Sequence, residues 1–208
     1  MKLEKNLDPN VIQEELKSKV ETFKEAMPIV IALRNDRLTE SHWQQIKDHI
    51  GKEFDITQDD FTLEALIALD VNNYREEIVA ISVAAEKEYG LKMDIEKLDN
   101  DWKRISFPVE IEERMDSFIL KDLEEIYTAL DESLALINSV LGSRYVKPMR
   151  ELAETWKKNI MTLSDMVDQW IACQKNWMYL ENIFKAADIR KAMPDETKRF
   201  DKVNTFFR

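Results

Sequence analysis

The strongest pattern of apolar positions lies between residues 145 and 187. Large apolar side chains recur there every seven positions, at Met149, Trp156, Leu163, Trp170, Trp177 and Phe184. A second row stands three or four positions further on, at Ala153, Ile160, Val167, Cys173 and Leu180. This spacing places both rows on one face of a helix. Because neither Gly nor Pro interrupts the stretch after Pro148, the pattern predicts one very long helix over about 146–186.

The N-terminal half predicts shorter helices. A stripe of Ile12, Leu16, Val20, Phe23 and Met27 indicates a first helix with one buried face. We expect this helix to begin at Asp8-Pro9, to continue through Pro28 and to end near Asn35. Thr39 is the expected N-cap of a second helix, from Glu40 to Ile50, which Gly51 ends.

Three further helices are predicted before residue 106. Thr62 is the expected cap of a short helix from Leu63 to Leu69, after a polar loop over 52–60. The next helix carries Ile78, Ile81 and Ala85 on one face and is expected to end at Gly90. A separate helix over about 93–105 follows.

The period of the pattern changes over residues 107–120. Apolar side chains alternate with others from Phe107 to Ile111, and a second apolar run ends at Leu120. This predicts a small β-hairpin packed against a helix. Asp122 is the expected N-cap of the next helix, which ends at Gly142, and Pro194 marks the start of a last helix that ends near Phe206. The predicted class is mainly α, an elongated helical bundle or arch, with subdomains 1–106 and 107–208.

Composition narrows the possible functions. The 208 residues carry a net charge of −11, which argues against binding to nucleic acid or to an anionic membrane surface. One cysteine, Cys173, permits no internal disulfide and suits a reducing compartment. Its position on the apolar face of the long helix predicts a small core residue rather than a nucleophile.

No catalytic, cofactor-binding or metal-binding residues are predicted. The three glycines stand alone at predicted helix ends, where left-handed caps are expected, so none belongs to a phosphate-binding loop. His42 and His49 lie seven residues apart, and neither belongs to the Glu-x-x-His motif of helical metal sites. We therefore expect both to be surface or interface residues. The tryptophan row has two interpretations, core packing or a docking face for another helix.

Residues 170–184, WIACQKNWMYLENIF, resemble the W-x-x-x-Q-x-x-W-x-Y-L-E-x-I-F signature of the linker region of dynein heavy chains. Other segments agree in order. They are Met27-Pro28, Leu33-Arg34-Asn35, the 37–43 segment that ends in His42-Trp43, Phe61-Thr62-Leu63, Trp102, residues 143–148, residues 188–190, Pro194, Glu196 and Phe200. The resemblance covers about residues 10–208. The chain departs from it at Glu40-Ser41, where many members carry a basic residue before the histidine.

The resemblance implies a non-catalytic mechanical arm. In dynein this linker lies across the AAA+ ring and changes shape during the ATP cycle, and the movement drives the tail and cargo along microtubules. It implies as partners the ring and tail of the heavy chain, with intermediate and light chains through the tail. It also implies the cytoplasm and cytoskeleton, and for an axonemal type a cilium or flagellum. The alternative is a stand-alone helical interaction module, spectrin-like or an adaptor. The motif residues, expected to be structural, are His42, Trp43, Trp170, Gln174, Trp177, Tyr179, Leu180, Glu181 and Phe184.

Overall fold

A computed structural model describes residues 11–54, 62, 65 and 69–208. The expected start of the first helix at Asp8-Pro9, most of the 52–60 loop and most of the predicted 63–69 helix lie outside these residues. The chain divides into two compact units, Met1–Leu91 and Lys92–Arg208. The sequence-based division after residue 106 stays a prediction.

The first unit contains helix α1 (Val11–Leu33), helix α2 (Glu40–Ile50), a 3-10 turn (Val71–Tyr74) and the start of helix α3 (Arg75–Trp102). Its core comprises Ile29, Ala32, Ile46, Ile50, Val71, Ile78 and Ile81. As predicted, α1 continues through Pro28, and α2 ends at Gly51, whose φ of 68° is left-handed.

The apolar stripe of α1 is exposed, so the expectation that it is buried is wrong. Ile12, Leu16, Val20 and Phe23 are between 44% and 78% exposed. The buried residues of the helix are Ala26, Ile29 and Ala32, all near its C-terminal end. Helical periodicity identifies which side chains share a face, but it carries no information on whether another element covers that face.

Helix α3 runs without a break through Gly90, so the prediction of two helices separated by this glycine is wrong. Gly51 is the one glycine of the three with a positive φ, and Gly142 is the last residue of its helix. The left-handed caps expected at Gly90 and Gly142 are therefore corrected. A glycine inside a helix costs only about 1 kcal/mol. Buried residues on both sides of Gly90, such as Ala85 and Ile95, stabilise the continuous helix.

The second unit contains the predicted hairpin, with strands β1 (Val109–Glu112) and β2 (Ser117–Leu120) paired antiparallel. Helices α4 (Glu124–Gly142), α5 (Arg150–Phe184), α6 (Ala187–Ala192) and α7 (Pro194–Phe207) follow, and a 3-10 turn (Lys147–Met149) precedes α5. Asp122 is not the N-cap of α4, as expected from the sequence. Its φ is 52°, and the helix begins after Leu123 without a side-chain cap.

Helix α5 confirms the predicted long helix. Its 35 residues correspond to a length of about 52 Å. Both predicted rows are buried in part: Ala153, Ile160 and Val167 of the second row, and Trp177 and Phe184 of the tryptophan row. Gln174 and Glu181 continue the second row at seven-residue spacing. The mainly α class with a long helix and one small hairpin is thus confirmed. No described helix is long and apolar enough to cross a membrane.

Candidate functional site

Four motif residues of α5 form one buried cluster, here called the clamp, which consists of Gln174, Trp177, Glu181 and Phe184. Their spacing of three and four residues places them on one face of the helix. The hairpin and α7 contribute Met115, Ile119 and Phe200 to the same apolar cluster as Trp177 and Phe184. The clamp is therefore where three elements of the second unit meet.

Gln174 binds the backbone of the hairpin through both ends of its amide. Its Nε2 donates to the carbonyl oxygen of Leu120 at 2.8 Å, and its Oε1 accepts from the N–H of Leu120 at 2.9 Å. The side chain thus satisfies two backbone groups at the outer edge of β2. Because buried backbone groups are costly when unpaired, this amide fixes the position of the hairpin on α5.

Aromatic rings join α5 to α7. The ring of Trp177, which is 1% exposed, stacks on Phe207 with centroids 4.5 Å apart. Its Nε1 donates to Asn204 Oδ1 at 3.0 Å. Phe184 stacks on Phe200 at 4.9 Å. The apolar bodies of these rings are buried while the indole N–H keeps a partner, which is how buried tryptophans are usually stabilised.

Glu181 places a carboxylate inside the clamp, where it is 3% exposed. Arg208 Nη2 donates to its Oε1 at 3.3 Å. The Lys185 ammonium lies 2.9 Å from Oε2 as an ion pair without hydrogen-bond alignment. Lys185 also donates to the carbonyl oxygen of Arg114 in the hairpin turn at 3.5 Å. Since a buried charge is costly without partners, Glu181 links the hairpin turn and the end of α7 to the long helix.

Two additional contacts hold the elements around the clamp together. The Arg190 guanidinium donates to both oxygens of Asp201, at 3.1 and 2.7 Å, and this bidentate pair connects α6 to α7. The hydroxyl of Ser117 in β2 donates to the carbonyl oxygen of Phe207. The hairpin and α7 are therefore bonded to each other as well as to α5.

An apolar groove of about 750 Å³ runs between α5 and α7. Cys173 lines it and is exposed, so the expectation that this thiol is a core residue is wrong. Leu180, Met193 and Val203 line the same groove and are between 36% and 43% exposed. The groove presents apolar side chains that α5 and α7 leave partly uncovered.

Two motif residues of the same helix face solvent. Trp170 is 51% exposed, with a tilted contact to Phe207 at 5.7 Å, so core packing, the first of the two interpretations of the tryptophan row, does not hold at this position. Tyr179 is exposed as well. Trp170 contacts α7 through the ring of Phe207, whereas Trp177 stacks on the same ring, bonds to Asn204 and packs against the hairpin.

The other two motif residues lie in the first unit. His42 is buried, so of its two expected locations, surface or interface, the surface is wrong, whereas His49 is exposed. The Thr39 N–H donates to His42 Nδ1 at 3.1 Å, and His42 Nε2 lies 3.1 Å from Glu88 Oε2. His42 thereby completes a capping box for α2 and bonds it to α3. Trp43 packs half-buried against the core.

The chemistry of the clamp is packing and polar bonding. Among residues 11–54, 62, 65 and 69–208, no group of three His, Cys, Asp or Glu side chains is arranged to hold a metal ion. The partners of Trp177 and Glu181 on α7, Asn204, Phe207 and Arg208, were not identified from the sequence. The signal for them was weak, since only Phe200, Val203 and Phe207 repeat at helical spacing.

These features define a helical structural site, in which a long helix, a hairpin and a terminal helix are fixed to one another. The family described as "Dynein heavy chain, N-terminal region 2" matches residues 1–208. The chain belongs to this family and is a segment of a dynein heavy chain.

Individual relatives agree with this assignment. The chain is 35% identical to human dynein axonemal heavy chain 6 over 97% of its length. It is 34% identical over 99% to the dynein-1-beta heavy chain of the flagellar inner arm I1 complex of Chlamydomonas reinhardtii. It is 33% identical over 93% to mouse dynein axonemal heavy chain 2. It spans only 4–5% of the length of these relatives.

Proposed function

We propose that this chain is the mechanical linker segment of its heavy chain, without a catalytic site of its own. In this role it transmits the ATP-driven conformational change of the AAA+ ring into the power stroke of microtubule-based movement. Its partners are then the ring and tail of the same heavy chain, with intermediate and light chains reached through the tail. The axonemal and flagellar relatives favour a location in the axoneme of a cilium or flagellum.

The observation that carries this proposal is the bracing of α5. Ala153, Ile160 and Val167 are buried along its first half, and Tyr127 of α4 donates to Asp168 at 2.8 Å. The clamp holds its second half. A lever transmits displacement only if it resists bending, and close-packed helices transmit strain where a flexible chain would dissipate it. A helix of about 52 Å that is supported along its length meets this requirement.

The test breaks the lever without changing its core. Met166 is exposed in the middle of α5, so Met166→Pro removes no core packing but interrupts the helix at a cost of about 3 kcal/mol or more. We expect the intact heavy chain with this change to hydrolyse ATP while microtubule gliding slows several-fold. Met166→Ala, the matched control, keeps the helix and should keep the gliding velocity.

Gliding at the unmodified velocity, with circular dichroism showing the broken helix, would contradict the mechanical role. If the proline variant does not fold, Met166→Gly softens the same position by only about 1 kcal/mol. The mechanical role then predicts slower gliding for Met166→Gly than for Met166→Ala, and equal velocities would contradict it.

One observation favours the alternative, a helical interaction module, and that is the groove between α5 and α7. Its apolar lining suits an amphipathic helix of a partner protein. Cys173 lies in the groove and is the only cysteine of these 208 residues, so maleimide labelling of this residue, read by mass spectrometry of its own peptide, reports whether the groove is covered. Fast labelling in the assembled motor, equal to that of the isolated segment, would exclude an occupant.

A further inference from the structure

The hairpin has an apolar outer face. The register pairs Val109 with Leu120 and Ile111 with Phe118, so these four side chains share one face of the two strands. Val109, Ile111 and Phe118 are 54%, 63% and 66% exposed. The opposite face carries Ile119 and Ser117, which are buried. The hairpin therefore packs through one face and presents three large apolar side chains on the other.

The alternation of hydrogen-bonded and non-hydrogen-bonded pairs leaves backbone groups unpaired on the outer edge of β1. The N–H of Lys121 donates to the carbonyl oxygen of Pro108 at 3.3 Å, which makes this pair hydrogen-bonded. In an antiparallel ladder the backbone groups of the next residue, Val109, then point away from β2, as do those of Ile111. The same phase turns Leu120 outward on β2, where Gln174 binds it. Among the described residues, no hydrogen bond reaches the outward N–H and C=O groups of Val109 and Ile111.

The charge around this edge is mainly negative. The segment 107–125 carries seven acidic and two basic side chains, so its net charge is −5. One of the two basic groups, Lys121, is engaged with Glu110 at 2.8 Å. On β1 itself, Glu110 and Glu112 alternate with Val109 and Ile111.

We infer that the outer edge of β1 binds an extended protein segment as a third strand, and that this segment alternates apolar residues with Lys or Arg. Its apolar side chains would lie beside Val109 and Ile111 and extend the exposed face. Its basic side chains would stand opposite Glu110 and Glu112, where opposite charges stabilise cross-strand pairs. Strand addition to a free edge is an established mode of peptide recognition.

Other occupants fit less well. A second copy of the chain would place Glu110 and Glu112 opposite the same glutamates, and like charges directly opposite are destabilising. A helix could cover the apolar face but would leave the backbone groups of Val109 and Ile111 unpaired. The inference goes beyond the mechanical role and does not depend on it.

The experiment uses the 208-residue chain and a labelled synthetic peptide of about nine residues that alternates Lys and Val. Fluorescence anisotropy measures binding, and amide hydrogen exchange locates it. We expect binding that weakens with added salt and slower exchange of the N–H groups of Val109 and Ile111. A Glu-Val peptide of the same length and an N-methylated Lys-Val peptide should not bind.

Two variants of the chain separate the backbone from the charge. Ile111→Pro removes the outward N–H while the ladder bonds to β2 remain, and binding should weaken about tenfold. The matched variant Ile111→Val keeps this N–H and should bind normally. Glu112→Lys leaves the backbone unchanged and should weaken binding by repulsion, so the proposal stays testable if the proline variant folds poorly.

Several results would overturn the inference. These are equal binding of the Glu-Val peptide, undiminished binding to Glu112→Lys, or unchanged exchange at Val109 and Ile111. Sedimentation that shows a dimer lost on Ile111→Pro would make a second copy the occupant instead. Absence of Lys-Val binding at low salt would also refute it.

Discussion

The two halves of α5 are stabilised by different kinds of contact. The first half buries the aliphatic row Ala153, Ile160 and Val167 along α4. The second half buries an amide, a carboxylate and two aromatic rings in the clamp. Aliphatic packing is non-directional and tolerates small adjustments. Paired polar groups and stacked rings require fixed geometry, so the second half determines where the hairpin and α7 sit on the helix.

The seven-residue spacing continues through both halves, although the chemistry changes. Gln174 and Glu181 occupy the positions that follow Val167 in the buried row. A polar residue in such a row usually costs stability and contributes specificity. In this helix the polar side chains meet the elements that α5 must hold, whereas the apolar ones meet a neighbouring helix.

The largest expected effect contrasts two tryptophans of the same row. Trp177→Ala removes a buried ring, its stack on Phe207 and its bond to Asn204, and we expect a loss of about 3–5 kcal/mol. Trp170→Ala removes a half-exposed ring and should cost at most about 1 kcal/mol. Urea unfolding of both variants checks this difference. Equal losses of unfolding free energy would contradict the expectation that only the ring of Trp177 is needed for stability.

A smaller effect is expected at the bond between α5 and the hairpin. Gln174→Leu keeps the side-chain volume but leaves the N–H and carbonyl of Leu120 without their partner, at a cost of about 2 kcal/mol. Amide exchange of Leu120 should quicken more than that of α4. Lys175→Leu, at the exposed neighbouring position, is the control and should leave the hairpin unchanged. Equal stability of Gln174→Leu and Lys175→Leu would contradict the view that polar bonds fix the hairpin on the second half of α5.

The smallest effect is a pH dependence in the first half. The hydrogen bond from Tyr127 to Asp168, together with partial burial and the charge of Asp168, raises the pKa of the Tyr127 phenol. Because the pKa is higher in the folded than in the unfolded state, this contribution is fully present below about pH 10, the ordinary tyrosine value. It is lost as the pH rises through the folded pKa.

Ultraviolet titration of the phenol checks this expectation. In Asp168→Asn the pKa of Tyr127 should fall towards its ordinary value, and added salt should weaken the effect of the charge. A titration that is the same in both proteins would show that Asp168 does not act on Tyr127.

Much of the fold followed from local pattern. The long helix, the hairpin, α2 with its Gly51 stop and the last helix from Pro194 were all predicted, because period, caps and turn residues act within a few neighbouring positions. The predicted helix end at Gly90 and the predicted N-cap at Asp122 were wrong because local residue preferences do not decide alone. Their residue types favour a helix end and an N-cap. Buried residues on both sides of Gly90 outweigh its preference, and Asp122 has a φ of 52° instead of the extended conformation of an N-cap.

The candidate site was predicted only in part. The motif located Gln174, Trp177, Glu181 and Phe184, but not their partners, because Leu120, Asn204 and Arg208 lie far from them in sequence. Trp170 and Cys173 were placed on the buried face and are exposed. The seven-residue period shows which side chains share a face, but not where along the helix the hairpin and α7 cover that face.

The sequence by itself determined where helices and strands form, the absence of turn-forming residues in α5 and the acidic charge, because these depend on local propensity and composition. The tertiary structure alone decided which faces are covered. The stripe of α1 and the second half of α5 have similar periodicity, yet one is exposed and the other holds the clamp. Burial requires a partner surface, and a partner surface is supplied by residues distant in the chain.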